Sequence, residues 1–210
     1  APRAALVTAA LAAAAGPARG HVAPATDDNN RYLRLAAQGD RVRLVYTVFF
    51  GERPGAALRP TLDADRDGQL TPAEADVFAA PLARAIAGAL AVTVDGAPAP
   101  VTWSQVVVGL GTPEVRAGTF SVDLIAALCV RGRGAHQLTL HDRYELAQPG
   151  ETEVMVEAAP GVTVERARLA GAADPDLDWR LAGPARGLAD GGLELAFAIG
   201  DRALIAPDAT

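Results

Sequence analysis

Lysine is absent from this 210-residue sequence, so every one of its 19 basic residues is arginine. That excludes a P-loop lysine, a Schiff-base lysine and the lysine of kinase-type phosphate sites. Cys129 is the single cysteine, which forbids an intrachain disulfide, and it reads as a small buried apolar residue. Serine is scarce too: Ser104 and Ser121 lack a Gly-x-Ser-x-Gly setting, so no nucleophilic constellation stands out and no enzymatic activity is expected. The net charge is −6, and no basic run interleaved with aromatics is present. Nucleic acid, whose affinity depends on neutralised phosphates, is therefore not an expected partner. Past the first 20 residues no stretch reaches the roughly 18 uninterrupted apolar residues of a spanning helix. Arg84 breaks the best candidate.

What is present begins with an Ala-rich run after Arg3, closed by small residues at 16–20. Residues 1–20 read as an export signal, with His21 as the resulting N-terminus and a periplasmic, secreted or cell-surface location. Beyond it lie strand-like segments at 31–35, 41–50, 91–94, 101–108, 119–124, 137–146, 153–157, 162–169 and 193–199, punctuated by Gly, Pro and Asp-Gly. Val42, Leu44, Tyr46, Val48 and Phe50 alternate with period two. One helical segment spans about 72–90, with Phe78, Leu82, Ile86 and Leu90 on one face and Pro81 expected to kink it or split it in two. The predicted architecture is mainly β: an antiparallel, immunoglobulin-like β-sandwich over 21–170, with an inserted calcium loop, one kinked helix, and a linker plus C-terminal β segment at 171–210.

The most specific signal is the stretch from Asp63 to Glu74, which has Asp63, Asp65, Asp67 and Glu74 at loop positions 1, 3, 5 and 12 and Gly68 at position 6. This is the EF-hand spacing. A hard cation such as Ca²⁺ takes about seven oxygens. The three Asp carboxylates, the Gln69 carbonyl, Thr71 directly or through water, and both Glu74 oxygens would supply them. Thr71, Pro72 and Glu74 also carry the signature of a capped helix start. The competing interpretation is a capped acidic turn without metal, disfavoured because close carboxylates repel unless a cation neutralises them. Gly55 and Pro60 argue against a helix entering the loop, so strand, loop, helix is predicted. Asp174, Asp176 and Asp178 alternate similarly, but Trp179 and Ala185 occupy the glycine and terminal-acid positions, and no second site is expected. An isolated exported loop should bind calcium at about 10⁻⁴ to 10⁻³ M, in a structural role.

His21 could chelate Ni²⁺ or Cu²⁺ through its imidazole and α-amine, against the plainer alternative of a solvated terminus. His136 and His141 fall on opposite faces of a strand. Trp103 and Trp179 are either sugar-stacking platforms or core residues. In order along the chain, His21, Asn30-Arg31-Tyr32-Leu33-Arg34-Leu35, Asp40 to Tyr46, the acidic glycine loop with its helix, Gln137 to Tyr144, and Glu153 to Val162 with its Pro160-Gly161-Val162 form a pattern. It resembles the extracytoplasmic N-terminal region of bacterial nickel/cobalt-permease-like, hydrogenase/urease-accessory-type membrane proteins. The resemblance covers most of 21–170, with Val22 where such proteins often have Pro. It implies an accessory domain that presents metal to a membrane transporter or cell-surface partner, with His21 as the residue handling transition metal. Transport itself is not implied, because the sequence reaches Thr210 without transmembrane helices. A calcium-stabilised adhesion or carbohydrate-binding module is the alternative.

Overall fold

The computed structural model describes residues 26–174 and 179–203. Residues 1–20, read as an export signal, and His21 lie outside them. Among the described residues no helix is long and apolar enough to cross a membrane.

The chain runs β1 (Asn29–Ala37), β2 (Arg41–Phe50), α1 (Glu52–Leu62), α2 (Pro72–Ala89), β3 (Leu90–Val94), β4 (Ala97–Pro98), β5 (Gln105–Gly109) and β6 (Phe120–Cys129). It continues with β7 (Gly134–Asp142), β8 (Pro149–Ala158), β9 (Val162–Leu169), β10 (Arg180–Pro184), α3 (Gly187–Asp190) and β11 (Leu193–Ile199). Two sheets result, one of six strands in the order β10-β8-β1-β2-β6-β5 and one of five in the order β4-β3-β7-β11-β9. Pairing is antiparallel except between β1 and β8, which run parallel. Strict alternation in β2 sends Val42, Leu44, Tyr46, Val48 and Phe50 to the interior, where they join residues of both sheets in one hydrophobic cluster. Each such fully buried side chain contributes roughly 1.5–3 kcal/mol relative to exposure.

The predicted stripe on α2 faces that cluster, with Leu82 and Ile86 buried and Phe78 packed against it. Phe78 meets Phe50 and Phe120 edge-on at centroid distances of 5.8 and 6.0 Å, while the latter two stack at 4.4 Å. Aromatic geometry of this kind fixes how the helix sits on the sheet. Helical structure continues through Pro81 instead of splitting into two helices. The carbonyl that the proline leaves without its usual donor belongs to Val77, and both residues are on the exposed side, where water can satisfy it.

A larger departure from expectation is α1, an 11-residue helix where Gly55 and Pro60 predicted none. Pro54 lies in the first turn, where no intrahelical N–H bond is required. Pro60 again faces solvent, as does Ala56 four residues before it. Gly55 is needed for contact: a Cβ there would stand 2.2 Å from the Gly118 carbonyl oxygen. The helix therefore lies directly on backbone that precedes β6.

Residues 180–184, inside a stretch read as linker, form an edge strand on β8. β11 lies between β7 and β9, so the C-terminal segment completes the second sheet and shares the common core. Cys129 corrects the sequence expectation, because as the last residue of β6 it faces outward and is exposed. Trp103 packs against the core at 6.2 Å from the Tyr46 ring, and its indole N–H donates to the Ala83 carbonyl at 2.9 Å.

The glycines of α1 and α2 should behave oppositely on urea denaturation. Gly55→Ala should lose about 1–3 kcal/mol through its clash with residue 118. Gly88→Ala, with open space where its Cβ would go, should be neutral or gain up to about 1 kcal/mol. Equal behaviour of the two would contradict the close approach of α1.

Candidate metal centre

α1 ends on Leu62 with Asp63 as its C-cap, and α2 begins at Pro72 with Thr71 as its N-cap. The acidic loop is thus flanked by helices on both sides, which corrects the strand, loop, helix arrangement predicted from Gly55 and Pro60. Gly68 at φ 86° and Arg66 at φ 61° take the left-handed turns that curl the loop back on itself.

Three carboxylates converge. Asp63, Asp65 and Asp67 each bring one oxygen to within 4.8 Å of the others. Among the described residues this is the one group of three or more His, Cys, Asp or Glu side chains close enough to share an ion. Each Asp is oriented by a backbone N–H inside the loop: Gly68 donates to Asp63 Oδ2 at 3.1 Å, Asp67 to Asp65 Oδ1 at 3.2 Å, and Gln69 to Asp67 Oδ1 at 2.7 Å. Asp63 Oδ1 is buried and has no hydrogen-bond partner. A carboxylate oxygen withdrawn from water without a donor is costly.

Glu74 lies outside that convergent set. Its Oε1 accepts from the Ala64 N–H at 2.7 Å, and its Oε2 accepts from the Thr71 N–H at 2.9 Å and the Thr71 hydroxyl at 2.8 Å. Thr71 Oγ1 in turn accepts from the Glu74 N–H at 3.3 Å, completing the capping box foreseen in the sequence. The bonds from Thr71 and Ala64 hold the Glu74 carboxyl below the usual range. Glu74 therefore ties loop position 2 to the first turn of α2 with its charge intact. Gln69 turns its side-chain amide onto the Gly68 carbonyl at 3.1 Å.

The loop's partner is a segment for which the sequence offered no signal. Gln69 bridges to Glu114, the Leu70 N–H donates to the Pro113 carbonyl at 2.7 Å, and the Val115 N–H donates to the Gly68 carbonyl at 3.1 Å. This short pairing carries Leu70 into a buried position. Residues 110–119 are held in turn by Arg59 of α1, which is completely buried. Its guanidinium donates to the carbonyls of Leu110 and Glu114 at 3.1 Å, of Thr119 at 3.3 Å, and of Thr112. It also sits 5.9 Å from the Phe120 ring centroid. Burial lowers its pKa, and the Glu114 charge partly offsets that. The residue is nevertheless a permanent cation, since a guanidinium does not deprotonate in proteins.

His136 and His141 are not brought together: His136 is buried with Nδ1 2.8 Å from Asp95 Oδ2, apart from the acidic loop. Of the second acidic stretch, Asp174 is described, whereas Asp176 and Asp178 lie outside the described residues. Trp179, at its glycine position, has φ 53° and packs against the core. No family model and no curated protein matches the chain.

Replacing Arg59 with Met keeps the bulk and removes the donors. In metal-free protein, Arg59→Met should lower unfolding free energy by about 3 kcal/mol, because several enclosed carbonyls lose their partners together. A loss below about 0.5 kcal/mol on urea denaturation would show that these carbonyls have other donors.

Proposed function

We propose that this protein is a calcium-binding extracytoplasmic accessory domain, built as an immunoglobulin-like β-sandwich, in which the ion has a structural role. The observation that carries this is the convergence of one oxygen each from Asp63, Asp65 and Asp67, together with the buried, unpartnered Asp63 Oδ1. Three negative groups meet with no side-chain donor between them, and a cation supplies the missing charge. An all-oxygen set favours a hard ion, and the loop spacing favours Ca²⁺ over the smaller, stricter Mg²⁺. Asp63, Asp65, Asp67 and Glu74 would provide carboxylate oxygens, with the Gln69 carbonyl and Thr71 completing the set.

The way the loop is anchored supports a structural rather than a signalling role. Its strand position already pairs with 113–115, and Arg59 and the aromatic contacts of Phe78 fix the flanking helices. A sensor would need a helix free to swing open. Association with nickel or cobalt transport rests on the sequence resemblance and on His21. The carbohydrate-binding alternative is less favoured, since Trp103 spends its N–H on Ala83 and packs inward.

Calorimetry on chelator-stripped chain beginning at His21 should find one Ca²⁺ site at about 10⁻⁴ to 10⁻³ M. Calcium at a hundredfold over that constant should raise stability by about 2.7 kcal/mol. Both effects should vanish in Asp63→Ala; an unchanged titration in that variant, or no calcium heat at all, would remove the calcium reading. In the same experiment Ni²⁺ and Cu²⁺ should bind a separate site abolished by His21→Ala. If neither metal binds, the association with metal transport fails while the calcium module stands.

A further inference from the structure

A cleft of about 480 Å³ opens where β7 of the five-stranded sheet gives way to the segment leading to β8 of the six-stranded one. Its size is that of a small-molecule site. Three arginines line it: Arg31 from β1, Arg143 just past β7, and Arg186 just before α3. Arg31 is buried to 4% exposure. Its Nη1 is 3.1 Å from Asp142 Oδ2, its Nη2 donates to the Tyr144 carbonyl at 2.8 Å, and its Nε has no partner.

The charges do not cancel. Asp142 is fully committed, since it also accepts from the Tyr46 hydroxyl at 2.6 Å and the Tyr144 N–H at 2.8 Å. Arg143 and Arg186 are exposed and make no ion pair among the described residues. Glu145 is the one acid left to oppose them at the rim. On a chain of net charge −6 this is a local excess of positive charge, set beside the apolar surface of Leu146 and Ala189. Planar guanidinium groups recognise carboxylate and phosphate oxygens through paired N–H donors.

We propose that this cleft binds a small amphiphilic anion, with its oxyanion head between Arg143 and Arg186 above the Arg31 floor and its apolar body against Leu146 and Ala189. The site is separate from the acidic loop and does not depend on calcium. Carboxylate and phosphate heads share the required chemistry, and the test distinguishes them.

Amide NMR shifts of the full chain would be followed during titration with hexanoate, hexyl phosphate and, as a neutral control, hexan-1-ol. Saturable shifts confined to residues 144–146 and 185–189 are expected with at least one anion, and whichever anion binds identifies the head group. The surface double variant Arg143→Ala/Arg186→Ala should fold normally and weaken that binding at least about tenfold. The assignment is overturned if neither anion saturates, if hexan-1-ol binds as well as the anions, or if the double variant binds like the parent.

Discussion

A single buried cation organises the half of the molecule that carries the acidic loop. Arg59 projects from α1 into a space where it has no carboxylate ion pair among the described residues, and its charge is tolerated because backbone carbonyls from residues 110–119 surround it. Burying an unpaired guanidinium would otherwise be prohibitive. The arrangement works in both directions, since an irregular segment folded against protein also needs donors for its carbonyls. Arg59 supplies several from one side chain. Gly55, one turn earlier, lets the helix lie on Gly118 closely enough for this to happen.

From that contact the position of the acidic loop follows. α1 delivers Asp63 at its C-terminal end, the held segment offers Pro113 and Val115 as backbone partners, and the capping box starts α2. The edge of the loop is taken up by a distant segment through the isolated bridge between Gln69 and Glu114. The loop is accordingly fastened to the sheet system at three points. Such fastening suits an ion that stabilises a fixed shape better than one that triggers a change.

The acidic loop and the cleft treat charge differently. At the acidic loop, carboxylates gather with only backbone N–H groups to orient them. At the cleft, Arg31, Asp142 and Tyr46 form a buried network beside Arg143 and Arg186, which make no ion pair among the described residues. Burial and the adjacent Asp142 charge raise the Tyr46 pKa well above that of a free phenol. Tyr46 consequently remains a neutral hydrogen-bond donor to Asp142.

Local periodicity and spacing by themselves determined the mainly β character, the alternating interior of β2, the inward stripe of α2, the Thr71–Glu74 cap and the acidic cluster of Asp63, Asp65 and Asp67. Each depends on residues close in sequence, whose geometry is set by strand or helix repeats. Tertiary structure alone decided that 52–62 is helical, because the propensity cost of Gly55 and Pro60 is overridden by contacts with residues 110–120. It also decided that β1 pairs in parallel with β8, that β11 completes the second sheet, that Cys129 faces outward, and that 113–115 pairs with the acidic loop. None of these is encoded by a short-range pattern, since each depends on which distant backbone supplies the missing donor, acceptor or neighbouring strand.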